Sequence, residues 1–232
     1  VANKSNYILK PPTESYPELP ANEHLTMQLA RQLGLTTAAN GLISLKDDKL
    51  AYIVRRFDRD PLGHKFHQED FCQLSEKSPK DKYTGSSEAC LKISERFSDE
   101  PGIARLALFR QFVFSWWVGN GDMHLKNLSL VTDSDGRIAL SPAYDLLSTR
   151  LVIPDDQLAL PVLGKRARLT RGNWLEFSAS ISLLKPAAER VLDRFHAALP
   201  RAEELIRSSF LSEGMQEGYL KILEQHCEVL SR

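Results

Sequence analysis

The sequence predicts an α+β fold, with strands gathered early in the chain and helices later. Three observations carry this. Tyr7-Ile8-Leu9-Lys10, residues 41–45 and residues 50–54 are short apolar runs bounded by prolines and charged turns, as strands are. Residues 103–118 are apolar all round, as in a helix buried on most sides. After Leu160 the chain reads as helices joined by loops, over 173–184, 186–199, 202–209 and 213–230, with breaks at Pro200 and Gly214.

Bulk properties narrow the class. A chain of 232 residues can bury the core of one large domain or of two lobes. Its 42% hydrophobic and 26% charged residues argue against disorder. Lys plus Arg and Asp plus Glu each total 30, so the basic excess of a protein that chiefly grips nucleic-acid backbone is missing. Cys72, Cys90 and Cys227 are widely spaced without a CxxC pair. They read as reduced thiols of a cytoplasmic protein, not as a disulfide framework or a zinc site. The start, Val1-Ala2-Asn3-Lys4-Ser5-Asn6, is polar and has no signal-peptide pattern. Residues 103–118 fall short of the roughly 20 that a membrane span needs and carry Arg105, Arg110 and Gln111, so no membrane is expected. Because the chain runs at once into a strand, a portion upstream of Val1 is expected.

Taken in order, the first strand is stopped by Pro11-Pro12, and Lys10 ends its apolar run. A lysine there is either solvated or reaches for nucleotide phosphates. Pro17 to Pro20 reads as loop, Asn22 as an N-cap, and Leu25, Leu29 and Leu33 as a helical stripe closed by Gly34. Glu23 either favours the helix dipole or pairs with Lys10. The turn Lys46-Asp47-Asp48-Lys49 joins two strands, and Arg55-Arg56 follows as a linker or a solvated edge. Between Pro61 and Pro101 the chain is polar and broken. His67 to Cys72 looks like a helix start, and residues 76–87, with Lys80-Asp81-Lys82-Tyr83, read as a functional or mobile loop.

The chemistry concentrates in Gly119-Asn120-Gly121-Asp122-Met123-His124-Leu125-Lys126-Asn127. The buried helix delivers this stretch, and the small turn-forming residues at its start permit a sharp change of direction. Residues 128–131 and 137–140 read as a hairpin around Asp133-Ser134-Asp135-Gly136, which folds Asp145 back beside Asn127. The downstream spacing of a calcium loop is absent, so that tip reads as a plain turn. An Asp, an Asn five residues later and a second Asp match a phosphotransfer site. Asp122 fits the base that takes or orients the acceptor proton. Asn127 and Asp145 fit the hard oxygen ligands that Mg2+ prefers. Lys126 and His124 are candidate cations for the transferring phosphoryl group. His124 can equally be a structural histidine, and a His-centred hydrolase metal site lacks a second His at useful spacing.

At these residues the chain resembles the HipA family of toxin kinases. The resemblance runs through Tyr7-Ile8-Leu9-Lys10-Pro11, Leu19-Pro20-Ala21-Asn22-Glu23-His24, Arg56-Phe57-Asp58-Arg59, His67-Gln68-Glu69-Asp70, the block from Gly121 to Asn127, and Pro142-Ala143-Tyr144-Asp145. Val54 to Asp60 and Asn120 to Leu125 look closer to HipT, the shorter kinase of three-gene HipBST systems. The resemblance implies a two-lobed eukaryotic-protein-kinase-like fold, with a small β-rich lobe within residues 1–57 and a mainly helical lobe over 58–232. It implies ATP and Mg2+ as cofactors, and serine/threonine kinase activity on an aminoacyl-tRNA synthetase that halts growth. It implies a HipB-like helix-turn-helix antitoxin and a small HipS-like subunit as partners, with DNA reached only through the antitoxin. By the same carry-over Lys10 binds phosphates with Glu23 beside it, and Val54, Arg55 and Phe57 form the hinge. Asp122 is the catalytic acid/base, Asn127 and Asp145 hold the metal, and His124 and Tyr144 line the nucleotide site. The Gly-rich loop with its autophosphorylated serine is expected upstream, since nothing before Lys10 matches it. Gly121 to Asn127 also satisfies the G-D-x-H-x-x-N pattern of small-molecule kinases, although the Arg56 to Arg59 and Tyr144 to Ser148 contexts argue against that class. A catalytically impaired kinase fold acting as a binding protein is the non-enzymatic alternative.

Overall fold

A computed structural model describes residues 5–46 and 48–232. The first four residues of the polar start, and Asp47 of the charged turn, lie outside the described residues. Strand β1 (Tyr7–Lys10) lies antiparallel to β3 (Leu50–Arg55), which also pairs with β2 (Asn40–Ser44), giving the order β1-β3-β2. Helix α1 (Leu19–Gln32) packs on this sheet, and Leu25, Met27 and Leu29 along it are all buried. It starts three residues before the expected cap. Pro20 fits its first turn, where a missing N–H costs nothing. Asn22 is therefore inside the helix and buried, and Glu23 lies beyond the first turn.

The segment expected to be irregular is ordered. Strand β4 (Gln68–Asp70) pairs with β5 (Ser129–Thr132), and β5 pairs with β6 (Ile138–Leu140). Asp70 caps the one-turn helix α2 (Phe71–Leu74), accepting from Gln73 N while the Gln73 side chain accepts from Asp70 N. Helix α3 (Ser87–Phe97), capped by Ser86, was not anticipated. It is mostly polar, with Cys90, Leu91 and Ser94 buried against α4 (Pro101–Trp117).

Helix α4 is the hub of the helical part. Phe109, Phe112, Phe114 and Trp117 are almost fully buried. They pack against α5 (Arg171–Ser180) and α6 (Lys185–Ala197), with Phe109 against Phe177 and Trp117 against Phe195 at ring centroid distances of 6.0 and 5.6 Å. Helices α7 (Leu199–Arg207) and α8 (Glu213–Ser231) complete the mass; α8 runs through Gly214 without a break. All three cysteines are free and buried. Among the described residues, no helix is long and apolar enough to cross a membrane.

Candidate active site

The small sheet supplies the first side chain. Lys10 ends β1 opposite Tyr52, and its ammonium lies 5.6 Å from the Tyr52 ring centroid. It donates to both carboxylate oxygens of Glu23, at 2.8 and 3.0 Å, and to Asp145 Oδ1. Burial works against the lysine's charge, but Glu23 and Asp145 outweigh it and its pKa is raised. Burial pushes the Glu23 carboxyl up to about 7, against the pull of Lys10. Of the two roles open to Glu23, pairing with Lys10 is the one present.

The second part grows out of α4. After Val118 the helix closes in a Schellman motif: Gly119 N donates to Trp116 O at 3.0 Å and Asn120 N to Ser115 O at 2.8 Å. Gly119 has φ +69°, the left-handed geometry that this closure requires. Asn120 Oδ1 then accepts from Asp122 N at 3.0 Å. A Cβ on Gly121 would collide with the Asp156 carboxylate and lie 2.5 Å from Gln157 O, so the backbone passes where only glycine fits. Asp122 Oδ1 accepts from Tyr83 Oη at 2.6 Å. A cleft of about 850 Å³ opens beside it, bordered by Tyr16, Leu19, Tyr83, Leu147, Val152 and Ile153.

His124 is buried and precedes the single turn Leu125–Asn127. Burial lowers its pKa despite the nearby Asp122, which counts against its serving as a cation. Its Nδ1 is buried without a hydrogen-bond partner among the described residues. The backbone N of His124 donates to Asn127 Oδ1 at 3.0 Å, and Asn127 Nδ2 donates to Asp145 Oδ2 at 2.7 Å. The hairpin thus folds Asp145 back onto Asn127, as the spacing predicts. Asp145 has φ +59°, which Asp tolerates better than most residues.

Tyr144 lies beside Asp145. Its hydroxyl donates to Lys126 O at 2.8 Å and lies 2.6 Å from Ser129 Oγ, while its ring is 5.2 Å from that of Phe57. Lys126, a candidate cation, instead pairs with Asp70 at 3.3 Å. Of the expected hinge residues, Val54 is buried in β3, Arg55 is exposed at the strand end and Phe57 is half-buried. Arg56 is not a solvated edge. It grips buried Asp58 through two hydrogen bonds, at 2.8 and 2.6 Å, and holds that carboxyl below its usual range.

Lys10, Glu23, Asn127 and Asp145 therefore meet in one chain of polar contacts. Asp122 stands at the head of the loop that carries Asn127. Among the described residues no three His, Cys, Asp or Glu side chains cluster as a metal cage. The donor set here is one amide oxygen and one carboxylate, the few hard ligands that suffice for Mg2+ when substrate phosphates supply others. Two further groups had no local signal. Tyr83 reaches Asp122 from a polar loop, and Asn22 exchanges hydrogen bonds with the backbone of Ser148 from inside a helix.

A lysine–glutamate pair beside a three-stranded sheet, facing an Asp–Asn loop and a second Asp on a helical base, is the arrangement of a kinase-like protein. The HipA-like C-terminal domain matches residues 1–202, and the chain belongs to that family. A putative kinase of Haemophilus influenzae is 27% identical over 261 residues, covering 100% of this chain and 76% of its own length. The serine/threonine-protein kinase toxin HipA of Shewanella oneidensis is 29% identical over 178 residues, covering 68% of this chain and 40% of its own. The fold is similar to HipA in the solved complex of Shewanella oneidensis HipA, HipB and operator DNA. There the TM-score is 0.83 at 25% identity, over 97% of this chain and 58% of that one. The chain thus spans about half the length of the HipA proteins it matches.

Proposed function

We propose that this chain is the catalytic part of a HipA-type toxin kinase that transfers the γ-phosphoryl group of ATP to a serine or threonine of a protein. The observation that carries the reading is the convergence of Lys10, Glu23, Asn127 and Asp145 through direct hydrogen bonds. In this reading residues 1–57 belong to the nucleotide-covering lobe and 58–232 to the substrate-binding lobe. Lys10, steadied by Glu23, takes the phosphates, while Val54, Arg55, Phe57 and Tyr144 border the adenine side. Asn127 and Asp145 hold Mg2+, which when bound neutralises phosphate charge.

Asp122 accepts the proton of the acceptor hydroxyl. The hydroxyl oxygen bonds to the γ-phosphorus as the bond to the bridging oxygen breaks, and ADP leaves. Lys126, once released from Asp70, is the candidate for a supporting cation; a neutral His124 orders the loop.

The substrate is an aminoacyl-tRNA synthetase, whose phosphorylation stops growth. The partners are a HipB-like antitoxin, through which DNA is reached, and a small HipS-like subunit. The solved HipA complex, which contains HipB and operator DNA, supports the antitoxin. The motifs from Val54 to Asp60 and from Asn120 to Leu125 support a HipT-like kinase in particular. Buried free cysteines support a cytoplasmic setting. The test is incubation of the full-length protein with γ-labelled ATP, Mg2+ and purified synthetases. Label is expected on a synthetase and lost in both Asp122→Ala and Asp145→Ala; label retained by both variants overturns the reading.

A further inference from the structure

We infer that Tyr83 is a positioning residue for phosphotransfer: its hydroxyl fixes the Asp122 carboxylate so that one oxygen stays turned to the acceptor cleft. The inference rests on the reading of Asp122 as the base. Tyr83 Oη donates to Asp122 Oδ1 at 2.6 Å. Among the described residues Oδ2 of Asp122 accepts no hydrogen bond, so it is left for an incoming hydroxyl. The tyrosine, 42% exposed, has two further contacts. Its ring meets His124 edge-on, with centroids 5.0 Å apart at 76°. The Lys82 ammonium lies 4.9 Å from the centroid of the same ring.

The loop that carries Tyr83 is fastened to the site. Leu125 N donates to Lys82 O at 3.1 Å, so the residue before Tyr83 is pinned to the turn that follows His124. Thr84 N donates to Asp81 O at 2.8 Å, and the Lys77 ammonium binds Thr84 O. Cys72 Sγ lies 3.4 Å from Ser78 O at the loop's entry. A phenol on such a support can restrict a carboxylate whose own loop is tied at its backbone, Asp122 N donating to Asn120 Oδ1 and Gly121 N to Thr149 Oγ1. The hydrogen bond to Asp122 pushes the phenol pKa up to about 12, still further above neutral pH than the ordinary value. Tyr83 also borders the cleft beside Asp122, which places it against the acceptor segment.

Positioning predicts a loss in turnover and not in nucleotide binding, since among the described residues Tyr83 has no hydrogen bond or ring contact with Lys10, Asn127 or Asp145. The experiment compares wild type, Tyr83→Phe and Asp122→Asn as full-length proteins, with steady-state kinetics in ATP and protein acceptor and a thermal unfolding scan of each. Tyr83→Phe keeps the ring against His124 and removes only the hydroxyl. We expect kcat to fall about tenfold or more, as for a misplaced catalytic group, with KM for ATP within about twofold and unfolding unchanged. A kcat within about twofold of wild type, a higher kcat, or a loss confined to KM for ATP would overturn the assignment. Asp122→Asn separates the two readings. Unimpaired turnover in that variant defeats the base itself, whereas turnover lost there but intact in Tyr83→Phe defeats only the role of Tyr83.

Discussion

Asn22 and Ser148 exchange two hydrogen bonds across 126 residues of sequence: Asn22 Nδ2 donates to Ser148 O at 2.9 Å, and Ser148 N donates to Asn22 Oδ1 at 2.9 Å. Both residues are fully buried. The pair ties α1, where Glu23 is the next residue, to the segment just after Asp145. The two acids that share Lys10 are thereby referenced to one fixed point. Asn22→Ala leaves an amide and a carbonyl buried without partners, at about 1–3 kcal/mol for each unsatisfied group. We expect a stability loss of about 2–6 kcal/mol in urea titration, with a weaker KM for ATP under conditions where the variant remains folded. An unchanged urea midpoint would show that the pair contributes nothing.

Gly121 is the tightest backbone passage in the site. Gly121→Ala would drive a methyl into the Asp156 carboxylate and against Gln157 O. The loop must shift, and a shift of about 1 Å in a catalytic group can cost about a hundredfold in rate. The expected result is a hundredfold or larger fall in kcat. Adding Asp156→Ala should not restore activity, because the Gln157 carbonyl is backbone and remains. Recovery in the double variant would place the obstruction on Asp156 alone.

His226 links α8 to the end of α4. Its Nδ1–H donates to Trp117 O at 2.9 Å, and its Nε2 lies 3.2 Å from Arg150 Nη1, so the neutral ring satisfies both neighbours. Burial depresses its pKa from the ordinary 6.5 to about 4. The unfolded chain therefore binds this proton more readily than the folded one, and the stability His226 contributes is present above pH 6.5 and lost as pH falls through about 4. Unfolding free energies measured between those values should decline in the wild type. The decline should be shallower in His226→Gln, and equal slopes would refute the assignment.

Tyr144 separates two roles within one side chain. Its hydroxyl ties the Lys126 carbonyl and Ser129, and its ring meets Phe57. Tyr144→Phe should cost about 1–2 kcal/mol through the lost hydrogen bonds, while KM for ATP changes little because the ring remains. Tyr144→Ala should raise KM for ATP in addition. Equal KM values in both variants would remove the ring from the nucleotide site.

The parts of the site that are legible in the sequence are those whose signal is local. Asp122 and Asn127 lie five residues apart on one loop, and a hairpin of ordinary turn chemistry returns Asp145 to them. Lys10 is visible as the end of an apolar strand. The start of α1 is misread because Asn22 has the composition of a cap, while its true partner, Ser148, is distant in sequence; Pro20 was the better signal. Helix α3 is missed because its apolar residues Cys90, Leu91, Ile93 and Phe97, which dock it on the core, are interleaved with polar ones in a polar stretch of chain. Its capping serine, Ser86, was the available clue. The contacts Tyr83–Asp122 and Lys126–Asp70 depend on how separate elements pack, and no short pattern encodes them.

Asp145 answers two demands at one position. Its carboxylate faces Lys10 and Asn127, and its backbone sits at φ +59°. Chemistry alone would let glutamate compete for the place, and conformation alone would welcome glycine or asparagine. The overlap of the two lists is nearly a single residue. On the proposed reading, descendants of this chain that have lost phosphotransfer should carry Asn or Gly here, since these keep the loop's shape while abolishing the charge. Replacement by a β-branched residue should be found only where the fold around the loop has already been lost.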